Sequence, residues 1–181
     1  MTTSTVVSAV KPANGAQLRY RLDVIGSDVG DVVRSVGGWL FDRVLAGWQV
    51  NVLLPFSGDA RALQILGVRT LDIESELGLA VSSVGLAVGA NAFAVDPRIR
   101  DTVLKALDRS LTEVTVWGQD WPLNVGRATT PVHHLLSTAA RVFKGHALAA
   151  AGIPSLVGPT ETLRSDMKTC LPVDSELIPA E

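Results

Sequence analysis

Three segments of this sequence share a pattern in which a predicted helix ends at a glycine and a β-rich run follows within two or three residues. The glycines are Gly47, Gly67 and Gly152. Glycine adopts the left-handed backbone conformation with little strain, so it commonly ends a helix before the chain turns back into a sheet. A helix followed closely by a strand is the returning half of a β-α-β unit. The repetition therefore predicts an alternating α/β fold.

The residues between these junctions predict further strands and helices. Apolar and polar residues alternate over residues 18–25, which is typical of a half-exposed strand at a sheet edge. A helix is expected over residues 31–48, with Gly37 and Gly38 in its interior, where each glycine costs about 1 kcal/mol relative to alanine. Close approach of another backbone would compensate that cost. Further elements are expected as a helix over 59–66, a helix that begins at Asp96-Pro97, and strands over 113–117 and 153–157.

Two long apolar stretches are predicted to be helices. The uncharged run from Leu77 to Asn91 is interpreted as a buried helix that packs closely through its small residues. Thr130-Pro131 is interpreted as the start of a helix that runs to about Ala151. In that helix His133 and His134 fall on the solvated side and His146 faces the core, so a catalytic or metal-binding role is not assigned to any of them.

The run from Leu22 to Leu54, a strand, a Gly26-Ser27 turn, a helix and a second strand, resembles the opening unit of Rossmann-like and flavodoxin-like folds. We therefore expect one three-layer α/β domain with a mostly parallel sheet of about five strands. A two-layer α+β sandwich is the alternative, because half-exposed strands are typical of antiparallel sheets. The domain is expected to span residues 15–158, between a flexible segment over 1–14 and an irregular tail over 159–181.

Composition excludes several classes of protein. The formal net charge of −2 over 181 residues and the absence of a basic helix argue against a nucleic-acid partner. Cys170 is the only cysteine, which excludes a disulfide framework and a multi-cysteine zinc site. With neither a secretory signal nor a spanning segment recognised, the sequence predicts a soluble cytoplasmic protein without a membrane partner.

Small polar residues and carboxylates follow every predicted strand. In a parallel sheet ligands bind beyond the carboxyl ends of the strands, so these residues are candidates for one ligand-binding edge. Helix capping is the competing explanation, because serine and aspartate are preferred at helix starts without any ligand. The two tryptophans around Gly118-Gln119-Asp120 are included because aromatic rings stack on flat ligands as well as on cores. The candidates are Gly26, Ser27, Asp28, Ser57, Gly58, Asp59, Glu74, Trp117, Asp120 and Trp121.

No motif in the sequence identifies a catalytic residue, a metal ligand or a cofactor. Neither glycine turn is a Walker loop or a GxGxxG fingerprint, and no GxSxG is present. The sequence therefore favours a non-catalytic or regulatory domain that acts through protein partners or by self-association into a homo-oligomer. The alternative is a protein, enzymatic or not, that binds a small molecule, a nucleotide or a Mg²⁺-dependent ligand at the acidic edge.

Overall fold

The computed structural model describes residues 20–55, 59–80, 83–109, 111–167 and 177–180. They form one mixed eight-stranded sheet with helices on both faces. The strands are β1 (Arg21–Ile25), β2 (Gln49–Leu54), β3 (Arg69–Asp72), β4 (Gly85–Gly89), β5 (Glu113–Trp117), β6 (Thr130–Leu135), β7 (Thr160–Ser165) and β8 (Leu177–Pro179). The helices are α1 (Val29–Leu45), α2 (Arg61–Ile65), α3 (Ile73–Ala80), α4 (Ala90–Val95), α5 (Pro97–Arg109), α6 (Leu123–Ala128) and α7 (Thr138–Ala150).

The strand order is β3-β2-β1-β4-β5-β7-β6-β8. The first five strands in that order are parallel, and each of the last three is antiparallel to its neighbour in the sheet. Only Thr115 and Val116 of β5 are in register with β7, so the two parts of the sheet meet along a short ladder. The prediction of a mostly parallel sheet in one α/β domain is confirmed, but the predicted count of five strands was wrong. The strands that the sequence did not predict are β4, in the parallel part, and β6, β7 and β8, in the antiparallel part.

Two hydrophobic cores lie on opposite faces of the sheet, because successive side chains of a strand point to opposite sides. Val24 packs into the core beneath α1 and α7, whereas its neighbour Ile25 packs into the core beneath α3 and α5. Helices on both faces make this a three-layer arrangement rather than the two-layer alternative. Among the described residues, no helix has both the length and the apolar character needed to cross a bilayer.

The three helix-ending glycines have positive φ angles, as the sequence predicts. They are +89° at Gly47, +73° at Gly67 and +68° at Gly152. The first two are followed directly by β2 and β3. After Gly152 the chain remains irregular until β7 begins at Thr160, so the strand predicted over 153–157 was wrong.

The strand predicted over 18–25 is shorter, and it lies at the centre of the sheet rather than at an edge. β1 pairs with β2 on one side and β4 on the other. Its polar residue Asp23 is fully buried, where Asn51 Nδ2 donates to Asp23 Oδ1 at 2.8 Å and Arg21 donates through Nε at 2.9 Å. The alternation therefore reflects a buried polar pair, which local sequence cannot distinguish from solvent exposure.

Two predicted helices are strands in part. The apolar run 77–91 contains the end of α3, all of β4 and the start of α4, and β4 is buried throughout because helices cover both of its faces. Residues 130–135 form β6, and the helix expected from Thr130 begins only at Thr138. His134 is consequently buried on a strand, and His146, expected in the core, is exposed.

The C-terminal segment 159–181, predicted to be irregular, contributes β7 and β8 to the sheet. Val132 and Leu163 of the β6–β7 pair are buried in the core beneath α1. The helix from Asp96-Pro97 and the strand over 113–117 are present with the expected starts. Residues 1–14, Ser57, Gly58 and Cys170 lie outside the described residues.

Candidate functional site

The candidate site lies where β1, β4 and β5 end and α1 begins. The chain leaves β1 to form β2 on one side, while β4 pairs with β1 on the other side. The strand order therefore reverses direction between β1 and β4. At such a point α/β proteins have a crevice beyond the carboxyl ends of the two strands, in which ligands bind. The first turn of α1, which begins at Val29, lies at this crevice.

Asp31 is the central side chain of this site. The indole Nε1 of Trp117, at the end of β5, donates to Asp31 Oδ1 at 3.1 Å. Ser35 Oγ, one turn further along α1, lies 3.4 Å from the same oxygen. Trp117 is 3% exposed whereas Asp31 is only partly buried, so a buried donor holds a carboxylate that remains accessible to a ligand.

The second oxygen of Asp31 faces Ser27 in the turn after β1. Ser27 Oγ lies 3.2 Å from Asp31 Oδ2 and 3.1 Å from Asp28 Oδ2, so the hydroxyl sits between two carboxylates. Asp28 is also the N-cap of α1, because its Oδ1 accepts the backbone N–H of Asp31 at 2.8 Å. This cap explains why the turn ends in aspartate, and it leaves Oδ2 directed toward Ser27.

Glycines allow the three strand ends to approach each other. A Cβ atom on Gly89, the last residue of β4, would lie 2.8 Å from the Trp117 ring and 3.0 Å from Asp31 Oδ2. Gly118 has a φ of +95°, and a Cβ there would lie 2.8 Å from Ala90 Cβ. The backbone therefore packs directly against the tryptophan and the carboxylate. We call Ser27, Asp28, Asp31, Gly89 and Trp117 the Asp31 site.

Four of the residues predicted from sequence lie at or next to the Asp31 site. Ser27, Asp28 and Trp117 belong to it, and Gly26 precedes it in a position where a Cβ would come within 2.3 Å of Val32 Cγ2. Asp31 itself was not among the candidates, because an acidic residue in the first turn of a helix is common without any ligand. The sequence signal that could have identified Asp31 is its position three residues after Asp28, which places both carboxylates at the start of the same helix.

The carboxylates predicted at other strand ends do not join this site. Asp59 is paired with Arg61, whose hydrogen bonds lower the pKa of the Asp59 carboxyl. Glu74 is exposed and pairs with Arg98 at 2.8 Å, and that hydrogen bonding lowers the Glu74 pKa in the same way. These two acids form separate surface ion pairs.

The loop after β5 carries the two remaining candidates that the structure describes. Asp120 is exposed and has a left-handed backbone with a φ of 62°. Trp121 packs on Phe93 with their ring centroids 4.9 Å apart, so it covers the core beneath α5.

The histidines lie away from the Asp31 site. His134 Nε2 is 2.8 Å from Asp42 Oδ2, and Ser137 Oγ donates to Asp42 Oδ1 at 2.6 Å. The serine contacts the aspartate rather than the histidine, so this trio lacks the order of a Ser-His-Asp nucleophile. His133 is partly buried and approaches Thr162 on β7, with Nδ1 3.3 Å from Oγ1.

A metal centre with three protein ligands is not formed by the residues the structure describes. Within that part of the chain, no three His, Cys, Asp or Glu side chains are grouped closely enough to hold a metal ion. Asp28 and Asp31 supply two carboxylates, and the other side chains that contact them are Ser27, Ser35 and Trp117. Among the described residues, the donors of the Asp31 site therefore do not fit a three-ligand metal centre.

Comparisons with known proteins place the fold among deacetylases. No family model matches the chain, and no similar curated protein was found. The A40926 pseudoaglycone deacetylase Dbv21 is 18% identical with a TM-score of 0.55, covering 81% of this chain and 96% of that chain. The zinc-inhibited form of the teicoplanin deacetylase Orf2 is 13% identical with a TM-score of 0.55, covering 89% and 99%. A triple mutant of the deacetylase of the teicoplanin pathway is 16% identical with a TM-score of 0.52, covering 89% and 99%.

These likenesses, at identities of 13–18%, show a shared fold. The expectation of a non-catalytic or regulatory domain that works through protein partners is contradicted, because the structural neighbours Dbv21 and Orf2 are deacetylases. The alternative expectation, a small-molecule protein with its site at the acidic edge of the sheet, agrees better with them. The chain shares its fold with the deacetylases Dbv21 and Orf2.

Proposed function

We propose that this chain binds an acylated, hydroxyl-rich small molecule at the Asp31 site and removes its acyl group by hydrolysis. The observation that carries the proposal is the accessible Asp31 carboxylate, held by the buried Trp117 indole at the switch point of the sheet. The shared fold with deacetylases supports the reaction class. The strand order β3-β2-β1-β4-β5 supports a Rossmann-like placement of the ligand between β1 and β4.

The chemistry of the site favours a ligand that donates hydrogen bonds. Asp28 and Asp31 carry carboxylate oxygens, which are acceptors only, and the Ser27 hydroxyl lies between them. Sugar hydroxyls and amide N–H groups donate to such oxygens. A phosphate or carboxylate placed beside both aspartates would instead be repelled. We therefore favour a glycoside-type ligand over a nucleotide.

Hydrolysis at this site requires a base and a donor for the developing oxyanion. Asp31 takes a proton from a water molecule whose oxygen attacks the acyl carbon, and the proton passes to the nitrogen as the C–N bond breaks. The products are a carboxylic acid and a free amine. The N–H groups of Val29 and Gly30 begin α1 and have no intrahelical acceptor, so they are placed to donate to the carbonyl oxygen.

Binding and turnover are tested separately with purified full-length protein. Calorimetric titration with N-acetylglucosamine, an acylated glycopeptide, ATP and Mg²⁺ measures affinity, and fluorescamine detection of free amine measures hydrolysis. We expect binding of an acylated glycoside and release of amine, with no binding of ATP. Asp31→Asn should weaken binding roughly tenfold or more, because a hydrogen bond to a charged group is worth about 1.5–3 kcal/mol.

Asp59→Asn is the matched control, because it changes an exposed carboxylate at another strand end. It should leave both affinity and amine release unchanged. Equal losses in the two variants, or binding of ATP rather than a glycoside, would contradict the proposal. Binding without amine release would support the Asp31 site as a ligand-binding site and would contradict the proposed hydrolysis. The cytoplasmic location, a homo-oligomer and the lack of a nucleic-acid partner stay predictions.

A further inference from the structure

A line of polar groups runs along one side of α1. Asp31, Ser35, Gly38 and Asp42 are spaced at i, i+4, i+7 and i+11, which places them on one helix face. Three of them are contacted from the sheet or its connections by Trp117 of β5, Glu161 of β7 and His134 of β6. These strands are neighbours in that order in the sheet. The helix therefore crosses the strands diagonally, with one polar contact to each.

The middle contact involves the backbone of α1. Glu161 accepts the backbone N–H of Gly38 through Oε1 and that of Trp39 through Oε2, both at 2.8 Å. Lys144 Nζ, from α7, donates to the backbone carbonyl of Arg34 at 2.7 Å and to Glu161 Oε1 at 2.5 Å. Gly38 N–H and Arg34 C=O are the donor and the acceptor of one i→i−4 step of α1. The buried ion pair contacts both of these groups.

Glycine is required at the point where Glu161 contacts α1. A Cβ atom on Gly38 would lie 2.2 Å from Leu136 Cδ2 and 3.1 Å from Glu161 Oε1. Lys144 is 7% exposed and Glu161 is 4% exposed, so the pair is shielded from water. These contacts hold the middle of α1 against β7 and α7. The segment before this point carries Asp31, and the segment after it carries Asp42.

We propose that Lys144 and Glu161 are positioning residues for the Asp31 site. By binding the Arg34 carbonyl and the N–H groups of Gly38 and Trp39, the pair anchors the middle of α1 and so fixes where its first two turns lie. That position places the Asp31 carboxylate against the Trp117 indole. The inference rests on the proposed function for the meaning of the site, but the geometry is tested without a ligand.

The test follows the Trp117 indole N–H by NMR in ¹⁵N-labelled full-length protein. Trp117→Phe identifies that resonance, and Asp31→Asn gives its position when the carboxylate is lost. We expect Glu161→Gln and Lys144→Met to move the resonance at least half of the way toward its position in Asp31→Asn. Lys144→Arg, which keeps the charge and the donors, should restore most of the wild-type position.

Asp42→Asn is the control for a merely structural role, because Asp42 is buried on the same helix but beyond the residues that Glu161 contacts. It should leave the Trp117 resonance in place. An unmoved resonance in folded Glu161→Gln and Lys144→Met, or an equal displacement in Asp42→Asn, would overturn the positioning role. If Glu161→Gln does not fold, Lys144→Met alone tests the positioning role. In that variant Glu161 is still present to accept the N–H groups of Gly38 and Trp39.

Ligand measurements separate this inference from the proposed function. If the wild-type protein binds an acylated glycoside, Lys144→Met should weaken that binding at least threefold, and unchanged binding would count against positioning. If the wild-type protein binds no glycoside, the proposed function fails. The NMR result then decides the positioning role by itself.

Discussion

The indole N–H of Trp117 donates a 3.1 Å hydrogen bond to Asp31, 86 residues earlier in the chain. The bond joins the end of β5 to the first turn of α1, across the crevice between β1 and β4. One carboxylate oxygen is thereby used for orientation, and the other remains for Ser27 and for a ligand. The geometry of the site depends on this contact between the sheet and the helix layer that contains α1.

Removing the donor should test that dependence. Trp117→Phe is expected to lower the free energy of unfolding by about 2–4 kcal/mol, since it removes a hydrogen bond to a charged group and leaves space in the core. Ligand affinity should fall with it. Urea unfolding measures the first effect, and calorimetry the second. Trp121→Phe is the control, because its ring packs on Phe93 away from Asp31; a larger effect there would contradict the assignment.

Gly38→Ala should be among the most damaging single-methyl changes in this chain. The added Cβ would overlap Leu136 Cδ2 at 2.2 Å, so Leu136 or the helix must move. We expect a loss of roughly 2–3 kcal/mol, typical of overpacking in a core. Gly78→Ala in α3 is the matched control, because nothing lies within 4 Å of a Cβ there. That variant should gain about 0.5–1 kcal/mol from the better helix propensity of alanine, as measured by urea unfolding.

The buried Lys144–Glu161 pair should show strong coupling. Lys144→Met is expected to cost about 3–5 kcal/mol, because it leaves a buried carboxylate without its cation. The double variant with Glu161→Gln should lose clearly less than the sum of the single losses, since it leaves no uncompensated charge. A double-mutant cycle of unfolding free energies measures the coupling. Additive losses would mean that the two side chains contribute independently.

Glu113 should make the protein less stable as the pH rises. Burial raises the pKa of its carboxyl above the ordinary 4.5, against the opposing effects of nearby Arg43 and the Ser165 hydroxyl. The folded state therefore binds more protons than the unfolded state between the two pKa values. As a result, the contribution of Glu113 to stability is largest below pH 4.5 and falls as pH rises through the folded-state pKa.

Glu113→Gln should remove this dependence and raise the free energy of unfolding at neutral pH. The measurement is urea unfolding at several pH values on both sides of the ordinary pKa. Glu74→Gln provides a control of opposite sign, because hydrogen bonding from Arg98 lowers the Glu74 pKa and its small contribution is lost as pH falls. Parallel pH profiles for the wild type and Glu113→Gln would contradict the effect of burial.

Local chemistry made part of the fold predictable. The positive φ at Gly47, Gly67 and Gly152 is a preference of single residues, and the start of α5 at Asp96-Pro97 follows from capping and the fixed φ of proline. The strand over 113–117 could be predicted from the β-branched and aromatic residues that it contains. Such features need no distant partner, so the sequence is sufficient for them.

Long-range burial overrode local pattern elsewhere. The uncharged run 77–91 has the composition of a buried helix, yet its centre is β4, because a strand covered on both faces also needs only small apolar residues. The contacts of His134 and Glu161 with α1 could not be predicted from sequence, because they depend on the register in which β6 pairs with β7. The alternation of polar and apolar residues in β1 fits either a half-exposed or a buried strand. It is buried because Asn51 of β2 donates a hydrogen bond to Asp23.

The sequence by itself determined the α/β class, the turns at the left-handed glycines and the edge of the sheet on which small polar residues gather. Only the tertiary structure decided which of those residues meet. Asp31 reaches Trp117 and Ser27, whereas Asp59 and Glu74 pair with arginines beside them. The reason is physical: helix capping acts within one turn of chain, but a shared site depends on strand order and on how α1 crosses the sheet.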